Sequence, residues 1–259
     1  MTIMKDLYGL IGFPLTHSFS KGYFNDKFAA ENIDAEYVNF EIPTIKDFKE
    51  VIKNNPNLKG LNVTIPYKEQ VIPFLNGVDS DAKAIGAVNV IKFNRTKGKL
   101  KLIGYNSDII GFKESIAANI EAGNHQKALI LGTGGAAKAV FQGLKQLGIT
   151  STFVSRKKAP CHCGLAPQIP LTYSDLTPEV MTTHTVVVNC TPVGMWPHVD
   201  ECPNIPYNLL TDRHLLYDLL YNPNETLFMK HGLEHGATVQ NGLEMLLLQA
   251  FTGWQIWQK

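Results

Sequence analysis

Two spacings of apolar residues alternate along the first hundred positions. Short runs at 8–13 (YGLIGF), 36–42 (EYVNFEI) and 58–65 (LKGLNVTI) read as strands, the third stopped by Pro66. Between them, 21–32 sets Tyr23, Phe24, Phe28 and Ala29 on one helical face, and 45–54 reads as another helix. That β-α-β-α-β order predicts a parallel or mixed α/β layer. Runs at 86–93 and 100–105 flank the polar stretch Asn94-Arg-Thr-Lys-Gly-Lys, which predicts a hairpin.

A helix over 109–122 leads into a second alternation. A strand at 127–131 (KALIL) is followed by a glycine loop, a helix ending at 147, and strands at 151–154, 185–189 and 215–220. This is the pattern of a nucleotide-binding fold and predicts a domain over 107–240. The chain between Arg156 and Thr182 is short and rich in Pro and Cys, so a full crossover helix is not expected there. In the last segment, Leu243, Leu247, Ala250, Trp254 and Trp257 share one helical stripe, while Gln249 lies with Met245 and Ile256.

Composition acts mainly by exclusion. With 259 residues, 44% hydrophobic and 18% charged, the chain is an ordinary globular protein of one large or two modest domains. Lys plus Arg number 24 against 23 for Asp plus Glu, so there is no electrostatic case for a nucleic acid or a membrane surface, and a small molecule is the default partner. No apolar run approaches the roughly 20 residues that span a bilayer, and the first residues lack the features of a signal peptide. A cytoplasmic location is expected. The 4 cysteines do not make a disulfide framework in a chain this long, and Cys161-His162-Cys163 lacks C-x-x-C spacing and a second ligand pair, so no metal is expected.

Candidate chemistry sits at the expected ends of strands. Gly132, Thr133, Gly134, Gly135, Ala136 and Ala137 follow an apolar strand and open a helix, the context of a dinucleotide fingerprint. Gly132 permits the tight turn, Gly134 lets the backbone approach a pyrophosphate, and Ala137 takes the small position where helix and strand pack. At the end of the next strand an NAD enzyme carries an acid for the ribose hydroxyls. Here Ser155, Arg156, Lys157 and Lys158 stand instead, which suits the 2′-phosphate of NADP. In the first domain, Asn62, Thr64 and Lys68 end an otherwise apolar strand, and Thr16-His-Ser18-Phe-Ser20 offers more hydroxyls than a helix cap requires.

Taken together, the motifs resemble the shikimate dehydrogenase family over nearly the whole chain. They are Ile11-Gly-Phe-Pro14 with His17-Ser18-Phe-Ser20, Asn62-Val-Thr64-Ile-Pro-Tyr-Lys68, Gly86-Ala-Val-Asn89, Gly104-Tyr-Asn-Ser-Asp108-Ile-Ile-Gly111, the glycine loop, Asn189-Cys-Thr191-Pro-Val-Gly194-Met195, Asp218-Leu-Leu-Tyr221, and the stretch from Asn241-Gly242 to Gln249. The proline usual after the second serine is Lys21 here, and the segment after Arg156 is shortened.

The resemblance implies an α/β protein of two domains. A substrate domain takes 1–106 with 241–259, a Rossmann-type NADP domain takes 107–240, and the last helix packs back on the first domain. The implied activity is NADPH-dependent, reversible reduction of 3-dehydroshikimate to shikimate, by a monomer or homodimer. Lys68 and Asp108 match the catalytic pair. Ser18 and Ser20, helped by Tyr221, match the carboxylate site, while Asn62, Thr64, Asn89 and Gln249 match groups that grip ring hydroxyls or position the pair. Thr191 and Gly242 join the cofactor residues. The alternatives are a relative that also takes quinate and a non-catalytic NADP sensor; the latter has no use for Lys68 and Asp108.

Overall fold

In the computed structural model, which describes residues 4–15, 19–96, 98–159, 161–163 and 166–259, the apolar runs form two separate sheets. The chain divides into two compact units, residues 1–107 with 250–259 and residues 108–249.

The first unit contains β1 (Asp6–Gly12), α1 (Phe19–Ala30), β2 (Ala35–Glu41), α2 (Phe48–Asn54), β3 (Leu58–Val63), α3 (Tyr67–Gln70), β4 (Gly77–Val78), α4 (Ser80–Ile85), β5 (Val90–Thr96) and β6 (Lys99–Tyr105). Its sheet has the order β2-β1-β3-β5-β6-β4. β1 pairs in parallel with β2 and β3, because helical crossovers return the chain in the same direction. The hairpin makes β5 antiparallel to β6, and β5 also runs antiparallel to β3. β5 starts later than the apolar pattern suggests, since Gly86, at φ 73°, ends α4 in the left-handed conformation.

Both faces of this sheet are covered, so β1 reads as a continuous apolar run. Leu7 and Ile11 join Leu61, Val63 and Phe48 on one face, while Tyr8 and Leu10 join Phe24, Phe28, Tyr37 and Trp257 on the other.

The second unit opens with α5 (Asp108–Ala117), β7 (Lys127–Leu131), α6 (Gly135–Gln146) and β8 (Thr150–Ser155). The antiparallel pair β9 (Cys161–Cys163) and β10 (Ala166–Gln168) and the short β11 (Leu171–Thr172) come next. Among the described residues no helix lies between β8 and β11. The unit continues with α7 (Pro178–Thr183), β12 (Val186–Asn189), β13 (Leu215–Asp218), α8 (Leu227–Glu234) and β14 (Thr238–Gln240). The sheet order is β11-β8-β7-β12-β13-β14, with all pairs parallel. Counted along the chain this is the 3-2-1-4-5-6 order of a doubly wound dinucleotide fold, whose switch point lies between β7 and β12.

The last helix, α9 (Leu243–Gln258), belongs to both units. The expected stripe does not hold along the whole helix: Leu243 and Leu247 are 39% and 41% exposed, and the buried residues are Met245, Ala250, Thr252, Gly253, Ile256 and Trp257. The reason is that the helix serves two cores in succession. Met245 packs into the second unit's core, where its carbonyl and the Gln249 backbone crowd Gly111 of α5. Ala250, Ile256 and Trp257 then enter the first unit's core, so the chain returns at 250 rather than 241. Trp257 lies flat against Gly60, where any side chain would collide with its ring, and its indole N–H donates to Ile91 O at 3.1 Å. No helix among the described residues is long and apolar enough to cross a membrane.

Candidate active site

The carboxyl end of β3 carries Asn62, and the turn after it carries Thr64 and Lys68. This turn is anchored at several points. Thr64 N donates to Ile11 O (3.0 Å), Tyr67 N to Thr64 O (2.9 Å), and Val88 N to Lys68 O (2.8 Å). The buried Tyr67 hydroxyl donates to Ile42 O at 2.6 Å, which fixes the residue just before Lys68.

Behind that turn lies a network of neutral polar side chains. The fully buried Tyr37 of β2 donates its hydroxyl to Asn62 Oδ1 (2.8 Å) and also bonds the Ser20 side chain. Burial, opposed by the Ser20 bond, holds this phenol far above its ordinary range, so it stays protonated. Asn62 Nδ2 donates to Asn89 O (3.3 Å). Asn89 in turn accepts at Oδ1 from Ser107 N (2.7 Å), while its Nδ2 donates to Ser107 Oγ (3.1 Å). Ser107 is the residue before Asp108, itself buried at the first position of α5. Ser20, Asn62 and Asn89 are thus joined, and the backbone entering Asp108 is held by the same carboxamide.

Lys68 belongs to the first unit; Asp108 and Gln249 belong to the second. Tyr221 is 41% exposed beyond β13. Ser18 lies outside the described residues.

In the second unit the glycine loop leaves β7 at the switch point. Gly132 has φ 105°, a conformation that favours glycine, and donates its N–H to Val154 O (2.8 Å). A side chain there would press on the Thr191 methyl group, 3.2 Å away. Gly134 begins α6 without a side-chain cap, and a Cβ on it would meet open space. Thr133, Gly135 and Ala136 sit on this half-exposed turn, while Ala137 is buried at the close helix-to-strand contact. The uncapped N–H groups of the first turn suit an anion.

At the adjacent end of β8, Arg156 and Lys157 are exposed. Ser155 shapes the turn: its hydroxyl bonds the Lys157 carbonyl and accepts from Lys157 N (3.3 Å). An uncapped helix start beside exposed cations, with no acid from 155 to 158, is a donor set that fits a phosphorylated dinucleotide.

Two residues expected to face a cofactor have other commitments. The Thr191 hydroxyl donates to Asn189 Oδ1 at 2.7 Å, stiffening its own turn. Gly242 is buried against the Leu219 carbonyl, where no side chain fits, and gives its N–H to Leu220 O (2.9 Å). Packing explains why these positions are small or hydroxylated.

Sequence reasoning missed the groups beneath these. Asp218, fully buried at the end of β13, accepts from Asn189 Nδ2 (3.0 Å), Leu220 N (3.1 Å) and Thr226 Oγ1 (2.6 Å). Burial, partly offset by those bonds, pushes its carboxyl up to about 6. Asn189 and Asp218 face each other in register across β12 and β13, and both stand in the quoted motifs, which was the available signal. Tyr37 had none, since an aromatic in a strand reads as core. Among the described residues, no group of three or more His, Cys, Asp or Glu side chains could hold a metal ion.

Comparison with known proteins places these features in one family. A family model described as "Shikimate dehydrogenase substrate binding domain" matches residues 10–91, inside the first unit. The shikimate dehydrogenase (NADP(+)) of Carboxydothermus hydrogenoformans is 37% identical, covering 97% of this chain and 91% of its own. That of Desulforamulus reducens is 34% identical, covering 96% and 88%. Among solved structures, the shikimate 5-dehydrogenase of Thermus thermophilus, in complex with NADP(H) and shikimate, superposes with a TM-score of 0.80 at 27% identity, covering 97% of this chain and 92% of that one. Similar over almost its full length to relatives of one kind, and built on the same two sheets, the chain belongs to the shikimate dehydrogenase family.

Proposed function

We propose that the protein catalyses the reversible, NADPH-dependent reduction of 3-dehydroshikimate to shikimate. The observation that carries this reading is the double role of Asn89. Its backbone carbonyl accepts from Val63 N (2.9 Å) and Asn62 Nδ2, at the strand end leading to Thr64 and Lys68. Its side chain meanwhile locks Ser107 ahead of Asp108. One residue thus fixes the local backbone of both members of the pair, as a preorganised site requires.

In this reading residues 1–107 with 250–259 hold the substrate and 108–249 hold the dinucleotide, through the 132–137 loop and Arg156. NADPH bound there would supply a hydride to the C3 carbonyl carbon. The carbonyl oxygen then gains charge and must receive a proton, which the Lys68 ammonium donates while stabilising that charge. Asp108 is the second member of the pair, and in the oxidative direction it, or water, accepts the proton. Ser18 and Ser20 take the substrate carboxylate with help from Tyr221, while Thr64, Asn89 and Gln249 take or orient the ring hydroxyls. The free thiols of Cys190 and Cys202 accord with a reducing, cytoplasmic setting.

Oxidation of shikimate with NADP, followed by nicotinamide absorbance and run beside quinate, tests the activity and the narrower specificity together. Lys68→Ala is expected to lower kcat by about 10²-fold or more with little change in KM, since the lost interaction is strongest in the transition state. Asp108→Asn should also lower kcat, and the double variant should be less than additive. A kcat for Lys68→Ala within a few-fold of wild type removes the mechanism.

A further inference from the structure

The end of β8 presents Arg156, Lys157 and Lys158 in succession, all exposed. β11 runs parallel beside it, with Thr172 in register against Ser155, and the short 3-10 turn that follows, Tyr173–Asp175, ends on an acid. The turn depends on that acid. Asp175 Oδ2 accepts from Thr172 N (2.8 Å) and Thr172 Oγ1 (2.7 Å), closing a reciprocal cap. Those bonds, together with Lys158, hold the carboxyl down at about 2, so it is negative throughout the neutral range. Lys158 Nζ lies 3.2 Å from its Oδ2 and 3.4 Å from its Oδ1. Arg156 is within electrostatic reach of Tyr173 on the same turn.

A structurally required negative charge therefore stands on the edge where the chain gathers its cations. An exposed ion pair of this kind contributes little to stability, so its consequence lies in the local field. Left bare, the carboxylate would repel a phosphate dianion within a Debye length of about 8–10 Å. We propose that Lys158 and Asp175 form a charge-masking pair that sets dinucleotide preference: Lys158 cancels the acid that the turn requires, which leaves Arg156 to engage the 2′-phosphate. The proposal rests on the NADP reading above and deepens it. It differs from a plain basic patch, in which Lys158 would help whether or not position 175 is acidic.

The distinguishing experiment is a double-mutant cycle on the full chain, with NADP+ and NAD+ affinities measured by calorimetric titration without substrate. Lys158→Ala should weaken NADP+ about three- to tenfold and leave NAD+ nearly unchanged. Asp175→Asn keeps an oxygen for the Thr172 bonds, so the turn is retained, and it should bind NADP+ at least as tightly as wild type. In that background Lys158→Ala should cost about twofold or less. An equal loss in both backgrounds makes Lys158 a direct phosphate ligand and overturns the proposal, as does no loss in either. A wild type that binds NAD+ as tightly as NADP+ overturns the cofactor reading as well, whereas discrimination without coupling overturns only this proposal.

Discussion

Each sheet ends in a buried polar network, and the two networks are built on different electrostatics. In the first unit Ser20, Tyr37, Asn62, Asn89 and Ser107 satisfy one another as neutral groups, and the one titratable member, Tyr37, is held protonated by burial. In the second, Asn189, Thr226 and the Leu220 amide converge on one carboxylate, Asp218. Both arrangements fix the loops at the ends of strands. The neutral one gains nothing from the charge state of the solvent and loses nothing to it; the other carries a proton-dependent free energy.

The largest expected effect comes from removing what the neutral network stands on. Trp257→Ala deletes an indole buried against Gly60 and its bond to Ile91, and should destabilise the first unit by about 3–5 kcal/mol. Chemical denaturation should show this as an early transition, while the second unit's tryptophan-free core unfolds where it did before. Coincident shifts of equal size in both transitions would show that the two units unfold as one.

The next effect concerns Asp218. Its carboxyl rises from an ordinary 3.8 to about 6 on folding, so the folded state holds the proton more tightly. The resulting stabilisation is fully present below pH ~4, declines as pH rises through ~6, and is absent above, a span of about 3 kcal/mol. Asp218→Asn should remove this component, so the stability difference between wild type and variant, measured by denaturant titration, should fall from acid to neutral pH. A difference flat over that range would show the carboxyl to be unperturbed.

Tyr37→Phe is the smaller counterpart in the neutral network. It strips the donor from Asn62 Oδ1 and should cost about 1–3 kcal/mol, with no new pH dependence between 4 and 7. Denaturation at the two ends of that range checks both points. Smallest is the effect of salt. Because Arg156 and its neighbours are exposed, raising ionic strength should weaken NADP+ binding several-fold and leave the stability of either network nearly unaltered. Titration across a salt series reads it directly.

How much of this was legible in the sequence follows the range of the interactions. The strand at 127–131 and the glycine loop were legible because periodicity and local turn chemistry suffice to specify them. The hairpin was legible too, but its start was misjudged because Gly86 looks like a strand residue until α4 is seen to end on it. On α9 a single stripe was drawn where the helix changes partners midway, so Leu243 and Leu247 were placed in a core and are exposed. Among candidate site residues, Asn62, Thr64 and Lys68 stood out as polar groups at a strand end, whereas Asn89 came only with the resemblance. Tyr37 and Asp218 did not, since their roles come from partners brought near only by the sheets. Nothing local marks a tyrosine that bonds an asparagine 25 positions away.

The helix shared by both units also bears on how the protein is made. A chain synthesised from its amino end produces the first sheet early, yet Trp257 closes on Ile91 across 166 residues, and Gly60 waits still longer for its neighbour. During translation the second sheet is complete while the first still exposes the apolar bed of Tyr8, Phe24 and Tyr37 on which the indole will lie. The unit begun first is therefore finished last, and its bare aromatic floor is the surface that a nascent chain must keep from sticking to others.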